Sequence, residues 1–235
     1  MCSTEIRFTK EAPECECVGK SAYDEAYFEG RNSNYWWTVG SYANLRQFPH
    51  WREMLKLIRR FRKNGRLLDV GCAYGFLVNE ASKHFESYGI DISSFAVKKS
   101  KEHNSRNIFR ALASSLPFRD ESFDAITLVD TLEHVPDFNS CLKDVVRALK
   151  KKGVLLLQLP NPLVWADVCS RFGLDDKTHV NNFRLGQWLR VLRENGVRIE
   201  KCLGFVSFAF RKSGFCIKSE RAAPLFPELW IVATK

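Results

Sequence analysis

Leu67-Leu68-Asp69-Val70-Gly71-Cys72-Ala73-Tyr74-Gly75-Phe76, followed by Tyr88-Gly89-Ile90-Asp91, is the stretch that decides the fold. Leu67 to Val70 is a short apolar run with strand character. Gly71, Ala73 and Gly75 supply small residues where a tight turn lets backbone approach a ligand. A helix is predicted next, with Phe76, Leu77, Ala81 and Phe85 at roughly helical spacing, and Tyr88 to Asp91 reads as a second strand. Its terminal acid stands about 20 residues beyond the turn, where a carboxylate accepts hydrogen bonds from both hydroxyls of a ribose. Together these features describe a pocket for a nucleotide-like cofactor.

The turn argues against a dinucleotide. It runs Gly71-x-Ala73-x-Gly75, whereas the G-x-G-x-x-G spacing seats a pyrophosphate on a helix N-terminus, and Phe76 is too large for the last place of that fingerprint. The stretch instead resembles the first motif of class I S-adenosylmethionine-dependent methyltransferases. The resemblance continues in order through Ile90-Asp91-Ile92-Ser93, Ser115-Leu116-Pro117-Phe118, Ser122-Phe123-Asp124-Ala125 and Thr131-Leu132-Glu133-His134-Val135-Pro136-Asp137, and covers roughly residues 64 to 160. It implies an α/β, Rossmann-like fold: a seven-stranded, mostly parallel sheet with the last strand antiparallel, helices on both faces, and an N-terminal helical, aromatic lid. The division expected is a tail and helical lid over residues 1–63 and an S-adenosylmethionine-binding methyltransferase domain over 64–235.

Composition agrees with one soluble catalytic domain. At 235 residues and 45% hydrophobic the chain can bury one sizeable core. The N-terminus lacks the apolar core of a signal peptide and no apolar run reaches the roughly 18 residues of a spanning helix, so a cytoplasmic protein is expected. Eight cysteines at irregular positions, Cys72 and Cys141 among them, read as reduced core thiols, with Cys15-Glu16-Cys17 the one close pair. Lys and Arg exceed Asp and Glu by 36 to 27, a net charge of +9, which suits anionic partners. Arg52, Lys56, Arg59, Arg60 and Lys63 are predicted on one side of a helix whose other side is Trp51, Met54, Leu55, Ile58 and Phe61. That side is either a solvated face or a contact to anions or a peripheral membrane surface. Lys150-Lys151-Lys152 reads as a helix end.

Strands are predicted at 66–70, 87–91, 107–111, 123–129 and 153–159, with helices between them, which implies parallel strands joined by crossovers. Phe138, Cys141, Leu142, Val145 and Leu149 form an apolar stripe capped by Asp137. A further helix carries Leu185, Trp188, Leu189 and Leu192 and stops at Asn195-Gly196. Val197 to Leu203 and Leu229 to Thr234 read as strands separated by a long irregular stretch.

The resemblance assigns Asp69, Gly71, Cys72, Ala73 and Gly75 to the methionine and ribose part of the cofactor, Asp91 to the ribose hydroxyls, Ile92 to the adenine face, and Ala113 and Ser114 to the adenine edge. Val129 and Asp130 end the fourth strand beside them. An acid commonly precedes Leu116-Pro117-Phe118 in the family; here Leu112 stands before Ala113. Asp130, Glu133 and His134 are expected near the transferable methyl, and Asp130-x-x-Glu133-His134 is similar to the E-x-x-E-H element of quinone-biosynthesis O-methyltransferases, where it is associated with a divalent cation. Asp130 is one methylene shorter, so a base mechanism through His134 is favoured over a metal. His179 is expected at the pocket mouth, either as a catalytic or substrate contact or in a structural role closing a loop. Tyr23, Tyr27, Trp36 and Trp37 are expected to form a lid that excludes water and shapes an apolar or ring-bearing substrate.

The function expected is methyl transfer from S-adenosylmethionine, leaving S-adenosylhomocysteine, to a small-molecule acceptor, at oxygen, with a lipid-like phenol or a glycan precursor as candidates. An RNA or protein methyltransferase is the first alternative. Against it stand the lack of an appended nucleic-acid module and of an N/D-P-P-Y/F tetrapeptide, which Leu159-Pro160-Asn161-Pro162 is not. A non-catalytic cofactor-binding partner subunit is the second alternative, and the sequence leaves the oligomeric state open.

Overall fold

The computed structural model of the chain describes residues 23–30, 40–103, 105, 107–164, 178–210 and 213–235. The strands are Arg66–Val70 (β1), Glu86–Asp91 (β2), Ile108–Arg110 (β3), Phe123–Val129 (β4), Leu149–Pro160 (β5), Arg198–Phe210 (β6), Ser213–Ser219 (β7) and Glu228–Thr234 (β8). They form one sheet in the order β3-β2-β1-β4-β5-β8-β6-β7. The pairs from β3 to β5 are parallel, and β8 runs antiparallel to both β5 and β6. The helices include Glu25–Phe28 (α1), His50–Ile58 (α2), Phe76–Ala81 (α3), Ser94–Glu102 (α4), Phe138–Ala148 (α5) and Leu185–Glu194 (α6).

The expected sheet has one strand too few. The stretch read as irregular after Leu203 extends β6 to Phe210, and the chain returns as β7 from Ser213, paired from Gly204 with Ser219 to Phe210 with Ser213. Phe208-Ala209-Phe210 and Ser213-Gly214 break the strict apolar-polar alternation that identifies a half-buried strand in sequence, so cross-strand pairing decides the structure there. Lys150 to Lys152 also differ from expectation. Helix α5 stops at Ala148, the three lysines open β5, and Lys150 Nζ donates to Asp124 Oδ2 at 2.7 Å.

Strand alternation divides the core between the two faces. Leu68 and Val70 pack with Cys141, Leu142 and Val145 of α5 and Trp188 and Leu192 of α6. Leu67, Ala125 and Leu156 face the other way, onto Trp51, Met54, Leu55 and Ile58 of α2 and Phe76 and Leu77 of α3. The basic helix thus buries its predicted apolar side. It ends at Ile58, which leaves Arg60 and Lys63 beyond its last turn. Among the described residues, no helix is long and apolar enough to cross a membrane.

Candidate active site

Strand β1 has β2 on one side and β4 on the other, so the connections leave in opposite directions there and a crevice opens at the carboxyl ends of these strands. The glycine turn lies in it. Gly71 and Gly75 adopt φ of +77° and +74°, and Ala73 a φ of 45°. The N–H groups of Gly71 and Cys72 donate to Ile90 O at 2.8 and 2.9 Å, tying the turn to the end of β2. A Cβ at Gly71 would sit 2.3 Å from Thr131 Oγ1, so both backbone angle and space require glycine.

Three carboxylates line the crevice. Asp69 lies opposite Thr127 in the β1–β4 register, and its Oδ1 accepts from Thr127 Oγ1 at 2.6 Å. Asp91 accepts from the Ala73 N–H at 2.7 Å and the Ser93 N–H at 2.8 Å. Asp130 Oδ2 accepts from Gln158 Nε2 at 2.8 Å, while Gln158 Oε1 accepts from the Trp230 indole at 2.7 Å. Burial pushes Asp69 up to about 7, against the pull of Thr127, and Asp91 and Asp130 up to about 6. Among the described residues, no lysine or arginine pairs with them. A ligand that carries positive charge and offers hydroxyl donors, as S-adenosylmethionine does, fits this set.

The other predicted cofactor residues lie around the same crevice. Cys72 is buried in the turn, its thiol pushed well up by burial, first of all, and by Asp91 and Asp69. Ile92 follows β2, and Ser93 then caps α4, its Oγ accepting from Ala96 N at 3.1 Å. Val129 ends β4. Ala113 and Ser114 lie in a loop whose position depends on residues that sequence reasoning did not single out. Arg147 donates to Phe118 O at 2.8 Å and Leu116 O at 3.3 Å, and Asp144 accepts from the Leu116 N–H. Both side chains project from α5, about 30 residues away in sequence.

Past β4, residues Leu132 to His134 form a single tight turn. The segment at 178–181 clasps it: Val180 and Asn181 N–H donate to Glu133 O at 2.9 and 3.0 Å, and Asn181 Nδ2 donates to Leu132 O and Val135 O at 3.1 and 2.7 Å. His179 is thereby brought to His134, with ring centroids 4.7 Å apart. Thr178 Oγ1 lies 2.9 Å from His134 Nδ1. The Glu133 carboxylate, 1% exposed, and the two imidazoles place ligand atoms within 4.8 Å of one another. One carboxylate and two imidazoles form a donor set that fits a divalent cation, with Thr178 as the outer partner that fixes one ring. Asp130, grouped with Glu133 and His134 from sequence, is instead drawn toward Gln158 and stands outside this set.

Residues 23–30 pack at the crevice. Tyr23 O accepts from Ser93 Oγ at 2.5 Å, the Tyr23 ring meets His134 edge-on at 5.9 Å, and Tyr27 packs on Tyr23 at 5.0 Å. Asp24 caps α1 through the Tyr27 N–H at 3.1 Å, and Tyr74 OH donates to Glu29 at 2.6 Å. Trp36 and Trp37 lie outside the described residues. Sequence reasoning noted Tyr42 only as one aromatic of many. It is buried against Tyr74 of the glycine turn, ring centroids 5.0 Å apart, and its hydroxyl is raised well above the ordinary range by burial and then by the Asp69 and Asp91 charges. Asn161 is unsuited to binding a substrate amine: it is 1% exposed, its Oδ1 accepts from the Leu163 N–H at 3.3 Å, and its side-chain N–H groups donate to Pro224 O and Phe226 O at 2.9 and 2.8 Å.

Comparison with known proteins agrees with this geometry. Residues 68–157 match a family described as a methyltransferase domain. The demethylmenaquinone methyltransferase of Bacillus licheniformis is 29% identical over 133 residues, 53% of this chain and 57% of that protein. An uncharacterised methyltransferase of Bacillus subtilis, YcgJ, is 32% identical over 147 residues, 57% of each chain. The match thus spans a little over half the length of these curated relatives. The crystal structure of YcgJ superposes with a TM-score of 0.60 at 21% identity, covering 79% of this chain and 97% of that one, which shows the shared fold. Glycine turn, the acid ending β2, sheet order and these matches agree: residues 68–157 are similar to the methyltransferase domain family and are set in the fold shared with the YcgJ structure.

Proposed function

We propose that this chain is a cytoplasmic enzyme that transfers a methyl group from S-adenosylmethionine to the oxygen of a small-molecule acceptor, a lipid-like phenol or a glycan precursor. The observation that carries the reading is the convergence of Glu133, His134 and His179 beneath Tyr23, beside two buried carboxylates, Asp69 and Asp91, that call for a cationic ligand. Asp91 and the glycine turn orient the cofactor, and Ile92, Ala113 and Ser114 border its base. Thr178 fixes His134 through Nδ1, so Nε2 is the nitrogen assigned to take the proton of the acceptor hydroxyl, an arrangement of base and orienting group. Tyr23 and Tyr27 exclude water and offer flat apolar surface to a ring. A divalent cation held by Glu133, His134 and His179 would supply the alternative, a lowered pKa at the acceptor oxygen. The name of the Bacillus licheniformis relative, a demethylmenaquinone methyltransferase, supports a quinone-like acceptor.

The RNA and protein readings draw support from the +9 charge, but the amide of Asn161 is engaged with backbone. The test is methyl transfer from labelled cofactor into cell extract split into lipid, RNA, protein and small polar pools. Label in the lipid or small polar pool is expected. Label confined to RNA or protein would overturn the acceptor assignment, and no transfer in any pool would favour a non-catalytic partner subunit.

A further inference from the structure

A cleft of about 380 Å³ opens between the 3-10 turn Tyr42–Gln47 and α3, and includes none of the residues assigned to the cofactor. Its size falls within the roughly 300–1,000 Å³ typical of small-molecule sites. The floor is apolar and fixed: Trp51 and Phe76 are buried, and the Trp51 indole donates to Leu45 O at 2.8 Å. Phe48 and His103 flank the floor. Burial and the nearby Arg46 charge hold the His103 imidazole below its ordinary value.

The rim is cationic on both sides. Arg46 stands on the turn, and Arg52 and Lys83 stand opposite, against a single acid, Glu80, at 2.6 Å from Lys83 and 3.6 Å from Arg52. Arg46 has no carboxylate partner among the described residues. Three basic groups against one acid leave a surplus of two positive charges, which matches the roughly −1.5 to −2 of a phosphate monoester near neutral pH and exceeds a carboxylate's single charge. An apolar floor below such a rim suits a flat or aliphatic body, and the volume admits one ring and one phosphate, not a strand of polymer.

The cleft also shares a wall with the cofactor pocket. Tyr42 lies on the same turn as Arg46; its ring is parallel to Phe76 within 12° at 5.7 Å and meets Tyr74 of the glycine turn edge-on at 5.0 Å, and the Asp69 and Asp91 charges raise its hydroxyl. We propose that this cleft binds a small phosphate monoester with a planar or apolar body. By bridging Arg46 to Lys83, the ligand fastens the turn that carries Tyr42 and tightens cofactor binding. Only the second half rests on the cofactor reading above. By linkage the effect is reciprocal: cofactor tightens the phosphate ligand by the same factor.

The test is calorimetry on the full chain with phenyl phosphate, and with phenol and inorganic phosphate as probes lacking one half of the match. Phenyl phosphate should bind one to one and roughly tenfold more tightly than either partial probe, since one charge-assisted contact amounts to about a factor of ten. Arg46→Glu and Lys83→Glu should each weaken it roughly tenfold or more, and Arg60→Glu, beyond the end of α2, should leave it unchanged. Non-saturable binding, equal affinity for inorganic phosphate, or an equal loss in Arg60→Glu would overturn the site. So would a single-stranded oligonucleotide that binds far more tightly and is lost in the same variants. S-adenosylhomocysteine titrated with and without phenyl phosphate reads the coupling: equal affinities refute it. Failure of S-adenosylhomocysteine to bind at all refutes the cofactor reading and leaves the phosphate titration to stand by itself.

Discussion

Lowering the pH should release the cofactor, and the structure sets by how much. Asp91 sits at about 6 in the empty protein, above its ordinary 3.8, because burial outweighs the N–H groups of Ser93 and Ala73. A ribose that donates two hydroxyls needs the carboxylate, so the bound protein holds fewer protons than the free one. The sign follows: affinity is full above about pH 7 and is lost as pH falls through about 6. With that midpoint the carboxylate fraction is about 0.9 at pH 7 and about 0.1 at pH 5, so the dissociation constant should rise about tenfold between them. Asp69, at about 7, steepens the loss if the cofactor's positive charge requires it ionised. Titration of S-adenosylhomocysteine by calorimetry in two buffers of different ionisation enthalpy reads both the affinity and the protons released, about half of one from Asp91 near pH 6. Asp91→Asn should bind at least roughly tenfold more weakly at pH 7, from the loss of charge-assisted hydrogen bonds of about 1.5–3 kcal/mol each, and show a shallower pH slope. Affinity that stays flat from pH 5 to 7.5, or an unchanged slope in Asp91→Asn, would refute the reasoning.

Asp69→Asn should stabilise the empty protein at pH 8, because a carboxylate raised from 3.8 to about 7 is charged at a cost there, with a ceiling of about 4 kcal/mol at about 1.4 kcal/mol per pH unit. The gain should fade toward pH 4, where the wild-type group is protonated, and denaturant melts at the two pH values check it. His134→Ala should retain cofactor binding and lose turnover by about 10²- to 10⁴-fold, with chelators without effect if the residue is a base; chelator-sensitive activity restored by magnesium, manganese or zinc would place a cation on Glu133, His134 and His179. Tyr23→Ala should raise the acceptor KM and lower kcat while the cofactor dissociation constant changes less than about threefold, the pattern of a cover over the acceptor; an unaltered methylation rate would remove Tyr23 from the site.

The parts of this molecule that could be read from sequence are those in which neighbours in the chain are neighbours in space. Gly71, Ala73 and Gly75 make one turn, and Asp91 closes the next strand, so the cofactor crevice is written within 25 residues. Asp137 caps its helix through the Ser140 N–H at 3.1 Å for the same local reason. What escaped depends on pairing across the fold. Gln158 engages Asp130, Arg147 holds the loop at 116–118, and Tyr42 meets Tyr74 only because the segment before β1 folds back over the turn. No periodicity announces such contacts. The strand β7 was missed because its partner β6 confers its structure, not its own residues.

Strand β8 lies between β5 and β6, although it is made after both, and Lys235 reaches back to the start of β5, its N–H bonding Gly153 O at 3.2 Å and its Nζ bonding Leu149 O at 2.8 Å. During synthesis this imposes an order of assembly. The parallel half from β3 to β5 can pair as it emerges from the ribosome, and β6 with β7 can form a hairpin. The two pieces share no strand contact until residues 228–234 arrive to join them. A nascent chain stalled before that point would expose the apolar edge of β5, Leu155 to Leu159, which is the edge most prone to pairing with another chain.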